Sequence, residues 1–242
     1  MSRPTEKSPT QAISAIPTVE PAPRRRRMPE ERPGDIVTAA LDAFVENGFA
    51  ATRLEDIAER AGVSKGTLYL YFESKEALFK AAIRETIVPI LERAEQRADA
   101  FTGSSRDLLA ETFHGWWSAI NESRMSGLPK LVLAEATNFP DAARVYFDEV
   151  VARLRALFAR VLRRGIERGE FRPIDVDYTV RVITAPVVMA LIWKHSLVRC
   201  QIDTIDFERQ MKVLIDVVLN GVLRESAPPR EEPRKNEKRG AS

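Results

Sequence analysis

Between residues 35 and 223, apolar side chains recur at spacings of three and four. No stretch alternates apolar and polar as a strand does, so the pattern predicts an all-α body. Ile36, Ala40, Phe44 and Val45 mark a first helix that stops at Asn47 and Gly48. Thr52 opens a second helix: its hydroxyl can cap, and Glu55 three residues on completes a capping box. Leu54, Ile57, Ala58 and Ala61 give that helix one inward face, and Gly62 closes it. Ser64 is placed to cap a third helix over 65–72. Ser74 can cap a fourth, which starts at Lys75 and runs toward Phe101 with a bend at Pro89. Five further helices are predicted over about 106–123, 128–137, 141–168, 175–195 and 204–223. Pro129 and Pro140 fall near helix starts, where proline is tolerated, and Pro186 predicts a kink inside its helix. The absence of a fixed-period repeat argues against a solenoid.

Composition narrows the classes. At 242 residues, 44% hydrophobic and 30% charged, the chain has the mix of an ordinary soluble protein with a sizeable core. The longest wholly apolar run, 185–193, is about half of a membrane span, so no membrane partner is expected. The stretch 11–19 is broken by Ser14 and Pro17 and does not read as a signal peptide. A single cysteine, Cys200, leaves no internal disulfide and no metal cluster, which fits a reducing cytoplasm. The net charge of +2 hides a division. Residues 1–33 carry seven Lys/Arg against four Asp/Glu, and 224–242 carry six against four, while the body between has 24 basic and 27 acidic residues. Ten of the 15 prolines lie in the same two ends, which read as a disordered basic arm and a disordered tail. The basic pI is thus a property of the tails and does not by itself announce nucleic acid.

Residues 52–72, TRLEDIAERAGVSKGTLYLYF, have the grammar of a helix-turn-helix: two short helices joined by a three-residue turn that begins with Gly62. Ala58 is small where the helices approach, and Val63 plugs the turn. On the third helix, Leu68 and Phe72 fall together and define a buried side. Tyr69 and Tyr71 then project to opposite flanks, with Gly66, Thr67 and Leu70 facing outward. This suits a helix in a major groove, the outward residues meeting base edges and the tyrosines reaching the phosphate walls. Lys65 and Lys75 add cations, and both helix N-termini favour phosphate.

The run GFAATRLEDIAERAGVSKGTLYLYFESKEALF, residues 48–79, strongly resembles the N-terminal DNA-binding domain of the TetR/AcrR family of bacterial transcriptional regulators. The likeness extends from the first helix through Ala82, about a fifth of the chain. It implies an all-helical homodimer, usually a repressor, that binds double-stranded DNA at a pseudo-palindromic operator and is released by a small molecule held in its C-terminal domain. It also implies DNA contacts at Lys65, Thr67, Tyr69, Tyr71 and Lys75, and at Thr52 and Arg53 at the start of the second helix. Ser64, Gly66 and Leu70 complete the candidate surface. The expected organisation is an arm over 1–33, a DNA-binding domain over 34–80 with its motif at about 53–72, a ligand-binding and dimerisation domain over 81–223, and a tail over 224–242. Residues 34–80 contain five Lys/Arg and eight Asp/Glu, so affinity must rest on local placement of cations. The arm's Arg24, Arg25, Arg26 and Arg27 are candidates for further phosphate or minor-groove contacts. That acidic balance is also the one feature favouring the alternative, a helical adaptor that has lost DNA binding.

Beyond residue 140, Phe147, Val151, Leu154, Phe158, Val161 and Leu162 share a helix face, and Arg153, Arg155, Arg160, Arg163 and Arg164 read as a solvated one. The last two helices are apolar on more than one side, which asks for partners on several sides, a second subunit among them. Val187, Leu191, Leu214 and Val218 are the candidate interface residues. Aromatic and methionine residues gather at Phe113, Trp116, Trp117 and Met125 and again at Met189 and Trp193, marking a candidate apolar ligand pocket. Adjacent tryptophans cannot share one helix face, so one packs inward while the other borders the cavity. His114 and His195 lack partners at metal-ligand spacing. The chain carries no Gly-rich phosphate loop, paired-histidine motif or G-x-S-x-G turn. No catalytic residue and no cofactor are assigned.

Overall fold

The structure, a computed structural model, describes residues 32–223 apart from 122, 199 and 203. The tail, and the arm with its four consecutive arginines, lie outside the described residues. Among the described residues the fold is all helical, with Phe171 and Leu223 forming one isolated antiparallel bridge.

Helix α1, Arg32–Asn47, begins a turn earlier than the apolar pattern indicated, with Pro33 in the first turn where its missing N–H costs nothing. Helices α2 (Leu54–Ala61) and α3 (Lys65–Tyr71) follow. Gly48 and Gly62 end α1 and α2 at φ 86° and 68°. A Cβ on Gly62 would meet nothing within 4 Å, so the left-handed backbone alone demands glycine there. Ser64 caps α3 by accepting the Thr67 N–H at 3.0 Å. The capping box at Thr52 does not form. Arg53 takes the N-cap position without a side-chain cap bond, and Thr52, 2% exposed, turns its hydroxyl back to the carbonyls of Gly48 at 2.6 Å and Ala43 at 3.1 Å. A hydroxyl four residues past a carbonyl at a helix end can bond backward as readily as forward.

The expected fourth helix is two: α4, Lys75–Thr86, and α5, Val88–Ala100, meeting at Ile87, with Pro89 in the first turn of α5. Helix α6 (Ser105–Asn121) leads through a 3₁₀ turn at Arg124–Gly127 into α7, Leu128–Glu135. Gly127 lies so close to Val45 of α1 that a Cβ there would overlap it. The long helix expected from residue 141 is α8 (Pro140–Tyr146), a π turn at Phe147–Val151 and α9 (Ala152–Glu167) in unbroken succession. Helix α10, Val176–Trp193, runs through Pro186 into a second π turn at Lys194–Val198. Asp175 and Asp206 cap α10 and α11 (Phe207–Val222) by accepting backbone N–H bonds at 3.1 and 2.9 Å.

Two cores organise the helices. The first gathers α1 to α4 around Phe44, Phe49, Leu68 and Phe79 and continues to Leu91, Leu128, Leu131 and Ala142. The second packs α6, α9, α10 and α11 around Phe113, Phe158, Leu162, Val187 and Leu219. Three of the four candidate interface residues, Val187, Leu191 and Val218, are buried in this second core, and Leu214 packs half-buried against it. The face left open is the neighbouring one: Tyr178, Val182 and Met189 on α10, with Val213 and Val217 on α11. Both helices are apolar on more than one side, so the pattern along the chain did not separate the buried face from the open one. The 23 residues 176–198 are long and apolar enough to match a membrane span, yet one side of α10 belongs to this core.

The arginine face of α9 is exposed to half-buried and carries ion pairs to its neighbours. Arg153 forks onto Glu95 at 2.7 and 3.2 Å, Arg160 meets Asp99 at 3.1 Å, Arg163 meets Asp177 at 3.1 Å, and Arg164 donates to the Gly103 carbonyl at 2.8 Å.

Candidate nucleic-acid interface and ligand cavity

Helix α3 stands on Leu68, which is fully buried, and on Phe72 just past its end. With those two turned inward, Tyr69 and Tyr71 are left 45% and 43% exposed and Leu70 83% exposed. Gly66 is exposed beside them and Thr67 half-buried. The Thr67 hydroxyl shares a hydrogen bond with Ser64 Oγ at 2.8 Å, which ties both residues to the first turn. Arg53 is exposed at the head of α2. Arg53, Ser64, Lys65, Gly66, Tyr69, Leu70 and Tyr71 are all exposed.

Lys65 is engaged. Its ammonium forms an ion pair with Glu55 of α2 and stands 5.8 Å from the centre of the Tyr69 ring. The hydrogen bond from Lys65 holds the Glu55 carboxyl below the usual carboxylate range, and Glu55 in turn raises the Lys65 ammonium. In the sequence Glu55 was read only as the capping-box partner of Thr52; its position ten residues before Lys65, across a tight turn, is the signal that could have found this ion pair.

Thr52 and Lys75 are both engaged with the backbone around the loop between α1 and α2. Thr52 is interior, and Lys75 donates to the carbonyls of Phe49 at 2.6 Å, Thr52 at 3.1 Å and Ala50 at 3.2 Å. Its ammonium therefore satisfies the loop between α1 and α2 rather than standing free. That loop rests on the rest of the chain: the Phe49 and Phe139 rings are 4.6 Å apart, and Glu135 accepts the Ala50 N–H at 3.3 Å. Arg84 of α4 also bonds Glu149 at 2.6 and 3.0 Å.

Among the described residues, three hollows are found beyond α4. A cavity of about 390 Å³ sits between α5, α6 and α9, with Trp116 in its wall. It adjoins a smaller one of about 50 Å³ that shares Ile90, Leu91, Trp116, Ala119 and Leu154 and adds Ile87, Met125 and Tyr146. Burial pushes the Tyr146 hydroxyl above its ordinary range. A larger, more open groove of about 710 Å³ runs between α7, α8, the first π turn and α10, past Leu133, Phe147 and Val188.

The six candidate pocket residues divide. Trp116 lines both the cavity and its small neighbour, and Met125 lines only the small one. Phe113 is wholly buried against Phe158, with ring centres 4.7 Å apart. Trp117 is core, its indole N–H donating to Glu208 of α11 at 2.7 Å. Met189 is exposed on the open face of α10, and Trp193 is half-buried at that helix's end. The tryptophan pair therefore splits, Trp117 inward and Trp116 at the cavity. His195 shares a hydrogen bond with Ser126 at 2.8 Å, and no three metal-ligating side chains cluster among the described residues.

A helix-turn-helix carried on a helical body with internal cavities defines a one-component type of DNA-binding regulator. Residues 36–82 match the bacterial regulatory proteins of the tetR family, and residues 99–205 match the tetracyclin repressor-like C-terminal domain. The HTH-type transcriptional regulator RutR of Escherichia coli strain K12 is 32% identical over 176 residues, covering 67% of this chain and 74% of RutR. The HTH-type transcriptional repressor KstR2 of Mycolicibacterium smegmatis is 28% identical over 174 residues, 71% of this chain and 83% of KstR2. Among solved structures, a putative transcriptional regulator from Saccharomonospora viridis in complex with choline superposes with a TM-score of 0.68 at 20% identity, covering 81% of this chain and 99% of that one. The chain belongs to the tetR family. It is a DNA-binding transcriptional regulator and not an enzyme, which sets the adaptor reading aside.

Proposed function

We propose that this protein is a homodimeric repressor, working in the cytoplasm, that leaves its operator when a small, mainly apolar molecule enters the cavity between α5, α6 and α9. The observation that carries the reading is the solvent-facing pair Tyr69 and Tyr71 on a helix seated by Leu68. In this reading Gly66, Thr67 and Leu70 meet base edges, while Arg53, Ser64, Lys65 and the two tyrosines reach phosphates on either side. Lys75 and Thr52 act indirectly, by shaping the loop that presents Arg53.

The open row on α10 and α11 supports a second subunit as its cover, since five large apolar side chains there are more than half exposed. Two recognition helices related by a two-fold axis would read a pseudo-palindromic operator. The lever for release is α4, which begins at Lys75 bonded to the loop before α2 and is followed by Ile87, in the wall of the small hollow that adjoins the cavity. A ligand shifts the equilibrium only by its difference in affinity for the two arrangements, so a tenfold release takes about 1.4 kcal/mol. The choline seen in the Saccharomonospora viridis structure supports the idea that this fold can hold a small molecule.

Sequence selection of bound DNA, followed by a salt series on the selected site, tests this. A palindromic consensus with affinity falling steeply as salt rises is the expected result. Binding without sequence preference would overturn it.

A further inference from the structure

The cavity between α5, α6 and α9 is apolar inside and asymmetric in charge at its edges. Helix α5 carries three carboxylates, and all three are bound to arginines of α9: Glu92 and Glu95 to Arg153, and Asp99 to Arg160. The two arginines of the same helix, Arg93 and Arg97, line the cavity on its other side, toward α6. They are four residues apart and so stack on one face. Among the described residues neither guanidinium has an ion-pair or hydrogen-bond partner, although Glu111 of α6 also lines this edge. With two guanidinium groups and one carboxylate, the mouth is positive by one charge. Behind it Leu108, Leu154 and Leu157 are apolar. Gly115 of α6 lines the same space, and a Cβ there would meet nothing within 4 Å, so its missing side chain widens the cavity rather than permitting a close helix contact.

We infer that the effector is an amphipathic anion, its hydrocarbon part in the cavity and its carboxylate or equivalent acidic head on Arg93 and Arg97. This rests on the reading of the cavity as the ligand site and assigns the chemistry that site selects. About 390 Å³ lies within the usual range for small-molecule pockets, roughly 300–1,000 Å³. A guanidinium pair at an otherwise apolar mouth binds a carboxylate through charge-assisted hydrogen bonds and repels a cation. A neutral chain of equal length gains only the burial.

Calorimetric titration of the full chain without DNA, using decanoate, 1-decanol and decyltrimethylammonium below their micellar concentrations, tests the inference. Decanoate should bind about tenfold or more tightly than 1-decanol, and decyltrimethylammonium should not bind measurably. Arg93→Gln with Arg97→Gln should bring decanoate down to the affinity of 1-decanol and leave 1-decanol unchanged, and the Lys pair at these positions should restore most of the preference. Gly115→Leu, which fills the space, should abolish binding of both. All the substitutions face solvent or open space, and a matching melting curve establishes that each variant is folded. Equal binding of decanoate and 1-decanol by the native chain, or a preference that survives the double Gln variant, overturns the inference. So does absence of binding by any of the three, an outcome that leaves the DNA-binding reading intact. Decanoate that binds as described yet leaves DNA affinity unchanged supports the anion site and counts against release instead.

Discussion

The Lys75 ammonium donates to the Phe49 carbonyl at 2.6 Å and stands 4.8 Å from the centre of that residue's ring. One cation at the start of α4 thus gathers the carbonyls of the loop that joins α1 to α2. The same ammonium is 5.7 Å from the Phe139 ring, so the loop, α4 and the start of α8 meet at one point.

Lys75→Ala should therefore lower stability as well as DNA affinity, because the Phe49, Ala50 and Thr52 carbonyls lose their shared donor. The expected loss is roughly 1–3 kcal/mol, measured by urea unfolding. A variant as stable as the native chain but weaker on DNA would return Lys75 to a direct phosphate contact.

Tyr69→Phe and Tyr71→Phe should behave differently. Each removes a hydroxyl from an exposed side chain while keeping the ring, so the melting temperature should hold. Affinity should fall to a similar extent on all sequences, as expected for phosphate contacts, and the slope of affinity against salt should not change, because no charge is lost. Altered base preference in the Phe variants would place the tyrosines on base edges.

Glu55 competes with phosphate for Lys65. Glu55→Gln should tighten DNA binding and steepen the salt dependence by about one ion released, since Lys65 then has only phosphate to neutralise. The pH sense follows from the lowered Glu55 carboxyl. What the pair adds to folding is present above the ordinary carboxylate range and is lost as pH falls through the lower folded value. Both side chains are largely in solvent, so the effect on stability is small and the effect on DNA is the one to measure. Unchanged affinity in Glu55→Gln would remove Lys65 from the phosphate contacts.

Neighbouring residues of α11 give opposite expectations. Val217 is exposed and Val218 buried. Val217→Asp should yield a folded monomer by light scattering, with helical circular dichroism retained. Val218→Asp buries a carboxylate in the second core and should destabilise the subunit itself by on the order of 3 kcal/mol or more. A native chain that is monomeric at micromolar concentration would sink the dimer.

The amino-acid sequence by itself determined the helices, their stops and the recognition element. Those are local matters: Gly48 and Gly62 end helices because only glycine takes the left-handed backbone cheaply, and Leu68 with Phe72 fixes which side of α3 is inward within two turns. Tertiary structure decided whatever depends on which of two eligible neighbours a group meets. Thr52 could cap forward or bond backward, and the carbonyls of Gly48 and Ala43 took its hydroxyl. Lys75 could face phosphate or carbonyl, and the loop at 49–52 supplied three carbonyls. Helices α10 and α11 are apolar on more than one side, so periodicity could not separate Val187 and Val218, which face the subunit's core, from Val182 and Val217, which face out. The arginines of α5 and α9 look alike in sequence. Only the packing of α9 against one side of α5 paired the carboxylates there and left Arg93 and Arg97 at the mouth of a cavity. A sequence fixes the order of charges along a helix, and it takes a neighbouring helix to determine which of them are neutralised.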